Sequence, residues 1–167
     1  MNVRTLVATL ALVLSAGNAL ADAAQCGFIK DQGQQAYCRA INGAGQGQCG
    51  FIRNSDLQAR CRAETGGGSG QCGLIKDKDS QAACRASVGS GSGGSASANT
   101  GQCGFIQDSD ARAYCRATNG DGSGQCGFIK NSDLQAMCRA ETGGGSGQCG
   151  FIKSSDMQAA CRAKVGH

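Results

Sequence analysis

The residues in this chain best equipped for chemistry are its twelve cysteines, which fall into pairs of fixed spacing. Cys26 and Cys38 are followed by Cys49 and Cys61, Cys72 and Cys84, Cys103 and Cys115, Cys126 and Cys138, and Cys149 and Cys161, with eleven residues inside every pair. Such thiols either pair as disulfides or hold a soft metal as thiolates. Structural zinc sites are built on close Cys-x-x-Cys knuckles, and this chain has none. Its one histidine, His167, reads as a solvated terminal residue rather than a ligand. Disulfides are therefore the expected state, with no metal and no cofactor. Pairing within each repeat is favoured because loop closure costs least between neighbours in sequence, although sequence alone leaves pairing between repeats open.

Nucleophilic catalysis is not expected. A catalytic thiol needs a base or an electropositive site to lower its pKa, and no internal histidine is present. No Ser-His-Asp set, nucleophile elbow or phosphate loop occurs, and the Gly-Gly-Gly-Ser-Gly runs lack the Lys-Ser or Lys-Thr that a phosphate loop requires. The sequence reads as that of a non-enzyme.

One polar residue recurs beside the second cysteine of every pair: Arg39, Arg62, Arg85, Arg116, Arg139 and Arg162. On a helix it lies next to the Gln or Arg four positions earlier. It either complements the negative helix end or offers a weak anion or carbohydrate contact, repeated six times. Phe28, Phe51, Leu74, Phe105, Phe128 and Phe151 precede Ile29, Ile52, Ile75, Ile106, Ile129 and Ile152 and supply most of the apolar bulk. Both are expected to fill a minimal core in each repeat; a side chain left exposed would instead be an anchor for a partner or for self-assembly.

These residues sit in six copies of one unit, Gln-Cys-Gly-(Phe/Leu)-Ile followed, after six further residues and Ala-x, by Cys-Arg-Ala. The copies span 25–43, 48–66, 71–89, 102–120, 125–143 and 148–166, with a long Gly/Ser linker at 90–101. First cysteines are spaced 23, 23, 31, 23 and 23 residues apart, so copies four to six repeat copies one to three at an offset of 77. Duplication of a triplet explains this arithmetic.

Each copy carries the marks of a helix. Asp31, Asn54, Asp77, Asp108, Asn131 and Ser154 are residues that cap a helix start. Asp56, Asp79, Asp110, Asp133 and Asp156 follow two residues later and suit the positive end of the dipole. Gly43, Gly66, Gly89, Gly120, Gly143 and Gly166 stand where a left-handed stop belongs. A helix of about ten residues does not persist alone in water, and a disulfide closing about thirteen residues adds roughly 3 kcal/mol.

The expected fold is thus a tandem array of small disulfide-stapled α (helical hairpin) modules joined by flexible Gly/Ser linkers, with no single large core. A stapled β-hairpin competes, since Gly-Phe-Ile-Lys could run as a strand. Coil statistics give roughly 15 Å for a seven-residue linker and 22 Å for fifteen residues, so the modules read as separate beads rather than a stacked solenoid.

At the N-terminus, Arg4 precedes an apolar run from Leu6 to Leu14 and an Ala19-Leu20-Ala21 exit, which reads as a signal peptide at 1–21. The remaining chain holds fifteen Lys and Arg against twelve Asp and Glu, interspersed, which excludes the dense basic footprint of a nucleic-acid binder. It contains no run long enough to span a membrane. Cysteine usage and leader together point to a periplasmic or extracellular location. The expected function is multivalent binding or a structural role, toward a protein, glycan or surface partner. A thiol-based metal buffer and a precursor of stapled secreted peptides are the alternatives.

Overall fold

The computed structural model describes residues 24–89 and 96–166, and the leader at 1–21 lies outside them. Six helices carry the repeats: α1 Gln32–Arg39, α2 Ser55–Arg62, α3 Lys78–Gly89, α4 Ser109–Arg116, α5 Ser132–Arg139 and α6 Ser155–Val165. All six expected capping residues accept a backbone N–H from the first turn, as in Asp31 from Gln34 at 2.7 Å, Asp77 from Ser80 at 2.8 Å and Asn131 from Leu134 at 2.9 Å. Before each helix the chain makes a short helical turn through the first cysteine and then an extended step through Ile. Among the described residues there is no strand, which removes the hairpin alternative.

All twelve cysteines pair within their own repeats, from Cys26–Cys38 through Cys149–Cys161, with Cα–Cα separations of 5.6–5.7 Å. Each disulfide ties the turn to the following helix. The stapled helical module is therefore as expected.

The junctions differ from flexible coil. In four of them two glycines take left-handed backbone, as Gly66 (φ 114°) and Gly68 (φ 67°) do, reversing the chain in a defined turn. Gly43, Gly120 and Gly143 are the other expected stops that behave this way; Gly89 instead ends α3, and Gly166 has φ −80°. Part of the expected long linker is helical as well, from Ala96 to Cys103.

The core corrects the bead picture. Ala36 and Ala40 of the first repeat bury against Cys49, Ile52 and Cys61 of the second, and the same five-residue cluster recurs at each junction down the chain. At the last one, Ala159 and Ala163 of repeat six pack on Cys26, Ile29 and Cys38 of repeat one. The chain is a closed ring of six repeats, with six small shared cores instead of one large core. Alanine explains the closeness: with only a methyl group on its buried face, each helix lets a disulfide and an isoleucine from the next repeat lie directly against it. The repeat motif gives those alanines no role of their own, so the second half of every core is not legible in it.

Candidate functional site

Ring closure sorts side chains into three sets, at the junctions, in the interior and on the exposed surface. At the junctions stand the aspartates that were expected to serve their own helix dipole. Their carboxylates instead reach the next repeat. Asp56 accepts from the N–H groups of Lys76 and Asp77 at 3.2 and 3.1 Å, and Asp79 accepts from Gln107 and Asp108, both at 2.9 Å. Asp110 accepts from Lys130 and Asn131 at 3.1 and 2.8 Å, and Asp133 from Lys153 and Ser154 at 3.1 and 3.0 Å. Asp156 closes the ring on Asp31 at 3.2 Å. Backbone N–H groups donated by the neighbouring repeat hold Asp56, Asp110, Asp133 and Asp156 below the usual carboxylate range.

Within the ring lies a cavity of about 1050 Å³, open to solvent, to which all six repeats contribute. Its largest polar groups come from helix positions one turn apart. Tyr37 donates to Glu64, which also accepts from Arg60 Nε at 2.9 Å and from Ser87 at 3.1 Å. The Arg60 guanidinium lies 5.7 Å from the centre of the Tyr37 ring. Offset by 77 residues, Tyr114 donates to Glu141 at 2.7 Å, and Lys164 pairs with the same carboxylate at 2.8 Å. Burial pushes both phenols up, aided by the glutamates. For Glu64 burial acts upward too, but Arg60 and the three donors outweigh it and hold the carboxyl low. Every buried side-chain nitrogen and oxygen among the described residues has a hydrogen-bond partner, so the interior network is complete in itself.

The sequence reading passed over this network. Its signal is the one variable residue before each second cysteine, read across the copies as Tyr37, Arg60, Ala83, Tyr114, Met137 and Ala160. In the closed ring Tyr37, Arg60, Ala83 and Tyr114 line one cavity; in separate beads they would not.

On the exposed surface the apolar pair splits. Ile29, Ile52, Ile75, Ile106, Ile129 and Ile152 are 1–4% exposed, whereas Phe28, Phe51, Leu74, Phe105, Phe128 and Phe151 are 63–71% exposed. The expectation that both fill the core holds for isoleucine alone. The bulk packed beside the disulfide, isoleucine and two alanines comes from the helices instead, as Tyr37 and Leu57 at the first junction. None of the six lines the central cavity.

Arg39, Arg62, Arg85, Arg116, Arg139 and Arg162 are all exposed, and none forms a carboxylate pair among the described residues. The neighbour expected beside each of them turns away. Gln35, Gln58, Gln81, Gln135 and Gln158 donate instead to the carbonyls of their own Ile29, Ile52, Ile75, Ile129 and Ile152 at 3.0–3.3 Å, and Arg112 makes the weaker equivalent to Ile106 at 3.4 Å. A shallow recess lined by Lys78, Gln81, Ala82, Arg85, Gln102 and Phe105 shows the resulting surface unit: the apolar side chain of one repeat beside the arginine of the repeat before it.

No helix among the described residues is long and apolar enough to cross a membrane. Six disulfides in so short a chain mark an extracellular type of protein. No protein-family model, curated protein or solved structure matches the chain.

Proposed function

We propose that this protein is an exported, non-enzymatic binding ring that presents the same small contact unit six times. The observation that carries the reading is the exposure of six equivalent apolar side chains, at 63–71%, on a molecule that buries the neighbouring isoleucines almost completely. Contiguous or repeated apolar exposure costs solubility and is kept where a partner covers it. One such unit is far below a standard interface, so affinity must come from several acting together through their effective concentration. Here the ring, rather than a flexible string, fixes their spacing.

The alternatives fare worse against the same geometry. A thiolate metal buffer needs reduced cysteines, and all twelve are paired and buried. Released single-repeat peptides would each leave half of their core on a neighbour.

The test is a series in which Phe28, Phe51, Leu74, Phe105, Phe128 and Phe151 are changed to Ser one, three and six at a time, with helix content and disulfides checked at each stage. Retention on material from the native extracellular surface should fall in steps while the fold stays intact. Undiminished retention of the sixfold variant would end the proposal.

A further inference from the structure

The partner's chemistry can be narrowed from the way the ring uses its charges. Composition shows a near balance of acids and bases, but the fold spends the two signs differently. Of the eleven acidic residues among the described ones, three cap helices, five clamp junctions and two lie in the central network, which leaves Asp121 alone without such a task. The six arginines after the second cysteines have no carboxylate partner among the described residues, and Lys or Arg follows the exposed apolar residue at a distance of two in five repeats, as in Lys30 and Lys153. Apolar side chains and arginines without a carboxylate partner therefore share the exposed surface, as Phe105 and Arg85 do in lining one recess, while Lys30, Lys76, Lys130 and Lys153 lie near the clamp aspartates.

The apolar position itself discriminates between anionic partners. It is Phe in five repeats and Leu74 in the third, and Leu74 is as openly exposed as the rest, at 63%. What the repeats share is apolar bulk, not an aromatic face. Stacking on a base or against a sugar ring needs the face, whereas entry into the acyl boundary of a bilayer needs only the bulk, with cations set beside it for the headgroups.

Building on the multivalent reading above, we infer that the exposed Phe/Leu–Arg units dock on an anionic lipid surface, the apolar side chains entering the interface and the arginines meeting phosphate. The experiment is flotation of the full oxidised chain with phosphatidylcholine vesicles prepared with or without phosphatidylglycerol, alongside a filter-binding assay with a soluble polyanion. Anionic vesicles should bind at least about tenfold more strongly than neutral ones, with the difference shrinking as salt rises. Changing the six apolar residues to Ser, or the six arginines to Gln, should each remove most of that binding. Equal or absent binding to both vesicle types overturns the lipid assignment. So does polyanion binding that survives the Ser changes, which would point to a charged polymer. If vesicles fail while the Ser series still loses retention on the native surface, the multivalent reading stands and only the lipid assignment falls. Loss of neither would remove both.

Discussion

Asp156 in the last repeat accepts a hydrogen bond from the backbone N–H of Asp31 in the first, at 3.2 Å and across 125 residues of chain. It is the same clamp that holds the internal junctions, made here without a covalent connection. At this seam Ala159 and Ala163 bury the Cys26–Cys38 disulfide, so the first and last repeats share the same five-residue core as the other neighbours.

The clamps make the ring sensitive to acid. Asp56, Asp110, Asp133 and Asp156 have lower pKa values folded than unfolded, so the folded state binds fewer protons through them. Their contribution is fully present above the unfolded carboxylate pKa of about 4 and is lost as pH falls through the lower folded values. With disulfides intact, the melting temperature should stay level from neutral pH to about 5 and then decline. A variant with these four residues as Asn should start lower and show a flatter profile. An unchanged profile would remove the clamps from the stability account.

One junction lacks its clamp. Gly33 stands where the other five repeats carry Asp, and among the described residues no side chain accepts from the N–H groups of Arg53 and Asn54. Gly33→Asp should supply the missing carboxylate and relieve a helix of glycine, a gain of about 1 kcal/mol that raises the melting temperature by about 2–4 °C. The new Cβ comes within 3.3 Å of the Asp31 carboxylate, and two other repeats carry the same pair of residue types at these two positions, Asp77 with Asp79 and Asp108 with Asp110. Calorimetry on the single variant decides it; a lower melting temperature would show that the local crowding wins.

Replacing Cys49 and Cys61 together by Ser should reach beyond the second repeat. That disulfide packs on Ala36 and Ala40 of the first repeat, while Ala59 and Ala63 of its own repeat carry the third. Removing a bridge over about thirteen residues costs roughly 3 kcal/mol. Hydrogen exchange should quicken in α1 and α3 as well as in α2. Exchange confined to α2 would restore the picture of separate beads.

The interior offers a paired comparison. Glu64→Gln takes the countercharge from Arg60, whose side chain is 35% exposed, and weakens the acceptor shared by Tyr37 and Ser87, with an expected loss of about 1–2 kcal/mol. Glu141→Gln frees Lys164, whose side chain is 45% exposed and can turn to water, so the loss should be smaller. Urea melts of the two variants rank them; equal losses would mean that Arg60 also escapes to solvent.

Much of the local structure was legible in the sequence. The cap positions, the helices and the pairing within repeats follow from Asp31, Asn54, Ser154 and the fixed cysteine spacing, all of which act over a few residues. Ring closure depends on Ala36, Ala40 and their equivalents, and alanine is a residue whose burial nothing in a linear pattern announces. The aspartates were seen but given a local role, because Asp56 and Lys76 are twenty residues apart and a capping motif explains the same residue more cheaply. The exposed phenylalanines were legible as an alternative only. Deciding between core and surface needed the size of the core, which the small side chains of a neighbouring repeat determine.

Closure also limits how such a chain can change in length. Each repeat presents an alanine face forward and a disulfide–isoleucine face backward, and with six repeats the last forward face meets the first backward one. Losing or gaining a single repeat alters the circumference by a sixth, so both terminal faces must either part or bend every junction to meet. The chain's own history avoids that problem: its two halves repeat at an offset of 77 residues, and the extra length lies at the seam between them. A triplet is half a circumference, so doubling it completes the circle in one genetic step.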